Sequence, residues 1–195
     1  MNDQRGRPGR KRSEESRRAI LTAAAELTAE VGYASLTIEG IAARSGAGKQ
    51  TIYRWWPSKA DVLLDALATK ADLHIPIPDE GTYEADLRAF LAATFALGSR
   101  PQVVELLRAL MAEAQINAAF GERFREMFLA QRRAALGTIV ERAVARGELP
   151  SGLTSQTVID IVFGTLWYRV LAAHRPVDQA LIDELVTVLT TRRQS

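Results

Sequence analysis

Cysteine is absent from the chain. That excludes disulfides, thiol nucleophiles and thiolate metal sites. Only two histidines are present. His74 lies in a proline-rich stretch, and His174 falls where a helix should end, a place where positive charge suits the helix dipole. They are far apart in sequence and neither has a carboxylate at ligand spacing, so no metal is expected. No apolar run approaches the ~18 residues of a membrane span, so no membrane partner is expected. The opening residues, M-N-D-Q-R-G-R-P-G-R-K-R, hold no apolar stretch of the secretory kind, and a cytoplasmic location is expected. Strand-like alternation, internal repeats and P-loop-type glycine motifs are missing as well. Ser and Thr fall mostly at helix caps. No catalytic residue and no cofactor is expected, because no acid, base and nucleophile assemble into a set.

What is present is ordinary in bulk and uneven in charge. The 195 residues are 47% hydrophobic and 25% charged, enough for a sizeable core. Residues 1–60 hold 11 Lys and Arg against 6 Asp and Glu, and residues 61–195 hold 14 against 17. A basic first third fits a polyanion partner; the acidic remainder argues against general polycation behaviour. Residues 1–12 place Arg5, Arg7, Arg10, Lys11 and Arg12 among glycines and a proline. They read as a flexible basic arm, either a solvated tail or a segment that follows phosphates or enters a minor groove.

The informative stretch runs from Thr37 to Lys59: T-I-E-G-I-A-A-R-S-G-A-G-K-Q-T-I-Y-R-W-W-P-S-K. Thr37 is a good N-cap, and Glu39 adds favourable negative charge to the first turn. Ile38, Ile41 and Ala42 mark the buried side of a short helix. Gly46-Ala47-Gly48 supplies a tight turn. A second helix follows over about 49–55, anchored by Ile52. It leaves Lys49, Gln50, Thr51, Tyr53 and Arg54 facing outward, able to reach phosphates or base edges in a major groove. Trp56 reads as core by its phase, while Trp55 is either a backbone contact or a cap on the groove side. Pro57 stops the helix. Ser58 and Asp61 form a capping-box-like pair for the next one. Lys59 stands at that helix's positive end, where a phosphate would be welcome.

The segment I-A-A-R-S-G-A-G-K-Q-T-I-Y-R-W-W-P-S-K-A-D-V-L, from Ile41 to Leu63, resembles the DNA-binding signature of the TetR/AcrR (tetracycline-repressor-like) regulators. The Ile41-Ala42 pair, Gly46, Tyr53, Trp56 and Lys59 followed by an acid and leucines carry the resemblance, and with the preceding helix it covers residues 13–67. Trp56 stands where phenylalanine is commoner, and Arg54 occupies a variable position, so no operator sequence carries over. The resemblance implies double-stranded operator DNA as partner, a homodimer sealed by the last two helices of each subunit, and an unidentified small-molecule effector bound in the C-terminal domain. The DNA contacts expected are Thr37, Lys49, Gln50, Thr51, Tyr53, Arg54, Trp55 and Lys59.

The chain as a whole reads as all-α with about nine helices. The expected organisation is an arm over 1–12, a helix-turn-helix domain over 13–57, a linking helix over 58–73 and a helical effector and dimerisation domain over 74–195. Ser13 should cap the first helix and Gly32 should end it. His74 to Gly81, with two prolines and a glycine, is a loop. Pro101, Asn117, Thr154 and Asp178 open later helices. The last two helices are apolar on more than one side, which suits either full burial or a dimer seam; Phe163, Trp167, Leu181, Leu185, Val188 and Leu189 are its expected residues. Phe95, Phe124, Phe128, Trp167 and Tyr168 are either plain core or the walls of an effector cavity, with Arg108, Glu113, Gln131 or Arg169 as polar anchors. The function expected is a ligand-released transcriptional repressor. The alternative is a helical ligand carrier whose basic N-terminus binds nucleic acid non-specifically.

Overall fold

The computed structural model describes residues 8–69, 77–98 and 100–191. Nine helices occupy them, with no strand among the described residues. None of these helices is long and apolar enough to cross a membrane. The first, α1, spans Pro8–Ser35. It begins five residues before Ser13, so Ser13 is interior rather than a cap and 8–12 belong to the helix. Proline at the first position explains this: its φ is already helical, and its missing N–H would have no partner there. Residues 1–7 of the expected arm lie outside the described residues. Gly32 breaks the helical geometry with φ 76° and ψ 166°, a conformation glycine adopts without a Cβ penalty.

Three short helices follow: α2 (Ile38–Ser45), α3 (Lys49–Trp55) and α4 (Lys59–Thr69). Residues 70–76, including His74, lie outside the described residues. The C-terminal part contains α5 (Tyr83–Gly98) and α6 (Pro101–Ile116). Next comes a long α7 over 118–145, in which Arg125–Leu129 is a π segment between Ala118–Phe124 and Ala130–Ala145. Helix α8 covers 155–173 and ends in a second π segment, Tyr168–Ala173. Helix α9 spans Gln179–Thr190. The expected caps are in place. Asn117, Thr154 and Asp178 each accept an N–H from the third residue onward, at 3.1, 3.1 and 3.2 Å, and Pro101 occupies a first helical position.

Two apolar clusters hold these helices. One lies within α5, α7, α8 and α9 and includes Phe90, Ile139, Val162 and Leu189. The other joins Ile20, Leu36, Ile41, Ile52 and Trp56 to α4, and the same cluster continues into Leu107, Leu110, Phe120, Phe124 and Phe128 of α6 and α7. Helix α4 is buried on several sides at once, with Val62, Leu63, Leu64, Ala66 and Leu67 all enclosed. Packing is therefore continuous from the helix-turn-helix into the C-terminal helices.

The seam residues expected on the last two helices need correction. Leu181, Leu185 and Leu189 recur every fourth position and point into the subunit's own core, as does Phe163, whose ring meets Phe90 edge-on at 6.5 Å. Trp167 is half-buried. Of the six, Val188 alone is exposed, at 66%. The buried positions of α9 are 181, 182, 185, 186 and 189, and Val188 lies about 90° round the helix from the middle of that face, at its edge.

Candidate DNA-binding surface and internal cavity

Thr37 caps α2 as its sequence position suggests, with its Oγ1 accepting the Gly40 N–H at 3.0 Å. Gly46 ends the helix in the left-handed region, at φ 70°, and turns the chain toward α3. Within α3 only Ile52 is fully buried. Lys49, Gln50, Tyr53 and Arg54 are exposed, and Thr51 and Trp55 are half-buried. Seven residues make fewer than two full turns, and one buried side chain suffices to seat them, so the helix can present most of its surface outward.

Two contacts order that surface. The Lys49 ammonium donates to Glu39 at 2.9 Å. This bond holds the Glu39 carboxyl below its ordinary pKa and raises that of Lys49. Both groups are solvent-exposed, so the pair is weak and a phosphate could exchange for the carboxylate. The Arg54 guanidinium lies 5.4 Å from the centroid of the Trp55 ring. Trp55 in turn meets Trp56 edge to face at 5.4 Å. Trp56 is core, and its indole N–H donates to Asp65 at 2.8 Å, where Arg17 of α1 also binds at 2.6 Å. The recognition helix is thereby tied through one tryptophan to both α1 and α4.

Lys59 has a different role from the one its position suggested. Its ammonium donates to the carbonyls of Tyr33 and Leu36 at 2.9 Å each and of Ala34 at 3.4 Å. It also lies 4.5 Å from the Tyr33 ring centroid. At the end of α1 the Tyr33 carbonyl also accepts the Leu36 N–H at 3.3 Å, and Lys59 gathers it with the Ala34 and Leu36 carbonyls as a cation at a helix C-terminus should. An ammonium has three donors and all are engaged here, so Lys59 is a clamp between α1 and α4 rather than a phosphate contact.

The neighbouring Asp61 makes a second clamp. Its carboxylate is 5% exposed; one oxygen accepts from Ser58 at 2.8 Å and the other from Arg123 at 2.8 and 2.5 Å. Ser58 returns the bond by accepting the Asp61 N–H at 3.3 Å. Arg123 belongs to α7, so the first turn of α4 is fastened directly to the C-terminal helices. By its position in the sequence Asp61 reads only as a cap; its partner is 62 residues away and carries no local signature.

A cavity of about 290 Å³ opens among α5, α6, α7 and α8. Its walls include Thr94, Leu107, Phe128, Phe163, Leu166, Trp167 and Val170. Of the expected effector residues, Phe128 and Trp167 line it. Phe95 and Phe124 do not; they are 2% and 0% exposed core residues. Tyr168 is 65% exposed on the surface. Arg108 donates to the Val170 carbonyl at 2.8 Å and lies outside the walls. Phe163, expected at a dimer seam, is a wall residue instead.

The polar wall residue that matters most was not anticipated. Arg132 of α7 lies 3.5 Å from the Phe128 ring centroid and donates to the Phe128 carbonyl at 3.0 Å. Burial pushes its pKa down to about 10, which still leaves it charged at neutral pH. The signal was available: an aromatic and an arginine four residues apart share one face of a helix. Arg133, at the same cavity, pairs with Asp160 at 2.8 Å.

Phe120, Phe124 and Phe128 stack in a row, at 6.1 and 5.3 Å between centroids, and Arg132 caps it. In an unbroken α-helix a step of four residues turns ~40° past a full circle, so three steps would drift by ~120°. The π segment over Arg125–Leu129 reverses part of that drift, because each of its residues turns the helix less. The row therefore runs from the cavity wall to the cluster around α4.

An exposed three-helix recognition head packed onto a helical domain with an internal cavity defines a helix-turn-helix transcriptional regulator. The model of tetR-family bacterial regulatory proteins matches residues 20–66, and that of the tetracyclin repressor-like C-terminal domain matches residues 77–189. The HTH-type transcriptional regulator YdeS of Bacillus subtilis (strain 168) is 34% identical over 188 residues, 95% of this chain and 92% of its own. The DNA-binding transcriptional repressor TetR of Mycobacteroides abscessus is 29% identical, over 90% of this chain and 92% of its own. The crystal structure of the TetR family transcription regulator SCO0332 superposes with a TM-score of 0.75 at 34% identity, covering 89% of this chain and 95% of its own. The chain belongs to the TetR family of DNA-binding transcriptional regulators.

The clamp at Lys59 leads to a measurable distinction. Lys59→Ala removes the ammonium from the carbonyls of Tyr33, Ala34 and Leu36 and should destabilise the fold by about 1–3 kcal/mol in chemical denaturation. The salt slope of DNA binding by the folded variant should stay unchanged, whereas loss of a phosphate contact would lower it by ~1.

Proposed function

We propose that this regulator is a homodimeric repressor that leaves its operator when a small molecule fills the cavity. The observation that carries the reading is the continuity of α7. One part of this helix forms the cavity wall at Phe128 and Arg132, and another holds Asp61 of α4 through Arg123. Helix α4 starts four residues after α3 ends. A ligand that shifts the π segment would therefore tilt α4 and change the separation of two recognition helices that must meet two half-sites. Release requires the ligand to bind the DNA-incompetent arrangement more tightly. Two relatives support this reading. One is described as a repressor. The other, FadR of Bacillus subtilis, was solved in complex with stearoyl-CoA, with a TM-score of 0.69 at 22% identity, over 91% of this chain and 99% of its own.

On the DNA, Gln50 and Arg54 reach base edges, while Thr37, Lys49, Thr51, Tyr53 and Trp55 hold the backbone. Arginine suits guanine and glutamine suits adenine. Between subunits, the outward face of α8 and α9 supplies the seam, with half-buried Ile161, Tyr168 at 65% exposure and Val188 at 66%. This face replaces the inward leucines as the dimerisation surface.

Arg54→Ala should cost roughly 1–3 kcal/mol on the operator and relax preference at one base pair. Uniform loss across scrambled DNA would assign Arg54 to the backbone instead. Val188→Glu places a carboxylate in the seam and should yield a folded monomer in sedimentation; an intact dimer would move the seam elsewhere. The switch itself is tested with a ligand found by thermal-shift screening. Ligand binding should lower operator affinity roughly 5–150-fold, and operator should weaken ligand binding by the same factor. Arg123→Ala should shrink that factor while retaining operator binding. Equal ligand affinity with and without operator would refute release, and an unchanged factor in Arg123→Ala would refute the route through Asp61.

A further inference from the structure

The exposed side chains of α3 are Lys49, Gln50, Tyr53 and Arg54. A carboxylate stands against them, that of Glu39 in α2, bonded to Lys49 at 2.9 Å. The side chains of the pair are open to solvent, at 61% for Glu39 and 54% for Lys49. Lys49 lies one turn before Tyr53 on the same face of α3, so the pair sits on the exposed side of that helix. Other acids of the head are engaged elsewhere. Glu26 and Glu30 hold Arg44, and Asp65 holds Arg17 and Trp56. Capping does not require Glu39, because Thr37 already caps α2. A carboxylate facing DNA carries a cost. It repels phosphates, and while it holds Lys49 that cation releases fewer counterions from the duplex. If Lys49 moves to a phosphate, Glu39 loses its donor. The major groove offers a replacement in the exocyclic amine of cytosine, the base-edge partner of a glutamate.

From this placement we infer that Glu39 is a specificity-determining residue, accepting from a cytosine amine at one operator position and penalising duplexes that lack it. The inference rests on α3 being the recognition helix and is independent of ligand release. On a matching duplex Lys49 passes to a phosphate and the amine takes its place, so the carboxylate keeps a donor. On a mismatched duplex Lys49 either stays with Glu39 and forfeits its phosphate, or leaves a carboxylate unpaired before DNA. Both outcomes weaken wrong sequences and spare the right one. Glu39 also supplies what Arg54 lacks, since a guanidinium only donates and an ionised carboxylate only accepts.

The test is selection by the full chain from a pool of randomised duplexes, followed by fluorescence anisotropy on the selected duplex and a scrambled one. The wild type should enrich cytosine at one position. Glu39→Gln, a change at an exposed side chain, should lose that preference or turn it to adenine, the partner of an amide. The variant should bind scrambled DNA more tightly than the wild type, with a salt slope steeper by about 1. Its preference for the selected duplex over the scrambled one should fall roughly 10-fold. Glu39→Asp, which keeps the charge, should leave scrambled binding weak. The inference is overturned if Glu39→Gln enriches the wild-type sequence, if its affinity rises equally on both duplexes, or if Glu39→Asp binds scrambled DNA as tightly as Glu39→Gln. Arg54→Ala, run in parallel, separates the two readings. If it changes the enriched sequence and Glu39→Gln does not, Glu39 alone is refuted. If neither changes it, α3 is not the reading helix and both fall.

Discussion

A buried carboxylate has to be satisfied completely, and Asp61 is the one on which this structure turns. Leaving such a group without partners in a low-dielectric interior costs several kcal/mol. Ser58 and Arg123 together meet its two oxygens. That requirement fixes the start of α4 against α7, and α4 carries the recognition helix with it. Two residues earlier in the helix, Lys59 imposes the complementary demand, because its ammonium gathers the carbonyls that close α1. The head is thus held by one anion and one cation on a single helical turn, facing different helices.

This arrangement separates rigidity from exposure. The recognition surface on α3 needs only Ile52 and Trp56 to seat it, since α1 and α4 are already fixed to each other and to the C-terminal helices. The contacts that remain on the surface, Lys49 to Glu39 and Arg54 over Trp55, are solvent-exposed and cheap to rearrange. A surface that must meet DNA gains from contacts that exchange easily for phosphates. The opposite applies to the row of Phe120, Phe124 and Phe128, where stacked rings inside a packed core transmit displacement instead of absorbing it.

The sequence by itself determined the all-α class, the position of the helix-turn-helix, the caps at Thr37, Asn117, Thr154 and Asp178, and the outward residues of α3. These are local properties. A cap is a side chain reaching an N–H two or three residues onward, and a helical face is a period of 3.6, so both are written in adjacent residues. Pro8 obeys the same logic: a proline at a first helical position is a local start signal, and Ser13 followed by two acids is a second one five residues later, so only the structure decides between them.

Tertiary structure alone decided which apolar residues of the last helices face inward, which aromatics meet at a cavity and what Lys59 and Asp61 hold. Leu185 and Val188 are both aliphatic positions on one helix; only the neighbours packed against α9 make the first core and the second surface. Phe124 and Phe128 are alike in sequence and stacked in space, yet of the two it is Phe128 that lines the cavity. Lys59 and Tyr33 are 26 residues apart, and Asp61 and Arg123 are 62. The physical reason is that periodicity fixes a side chain's direction about its own helix, whereas what lies in that direction depends on packing between helices distant along the chain.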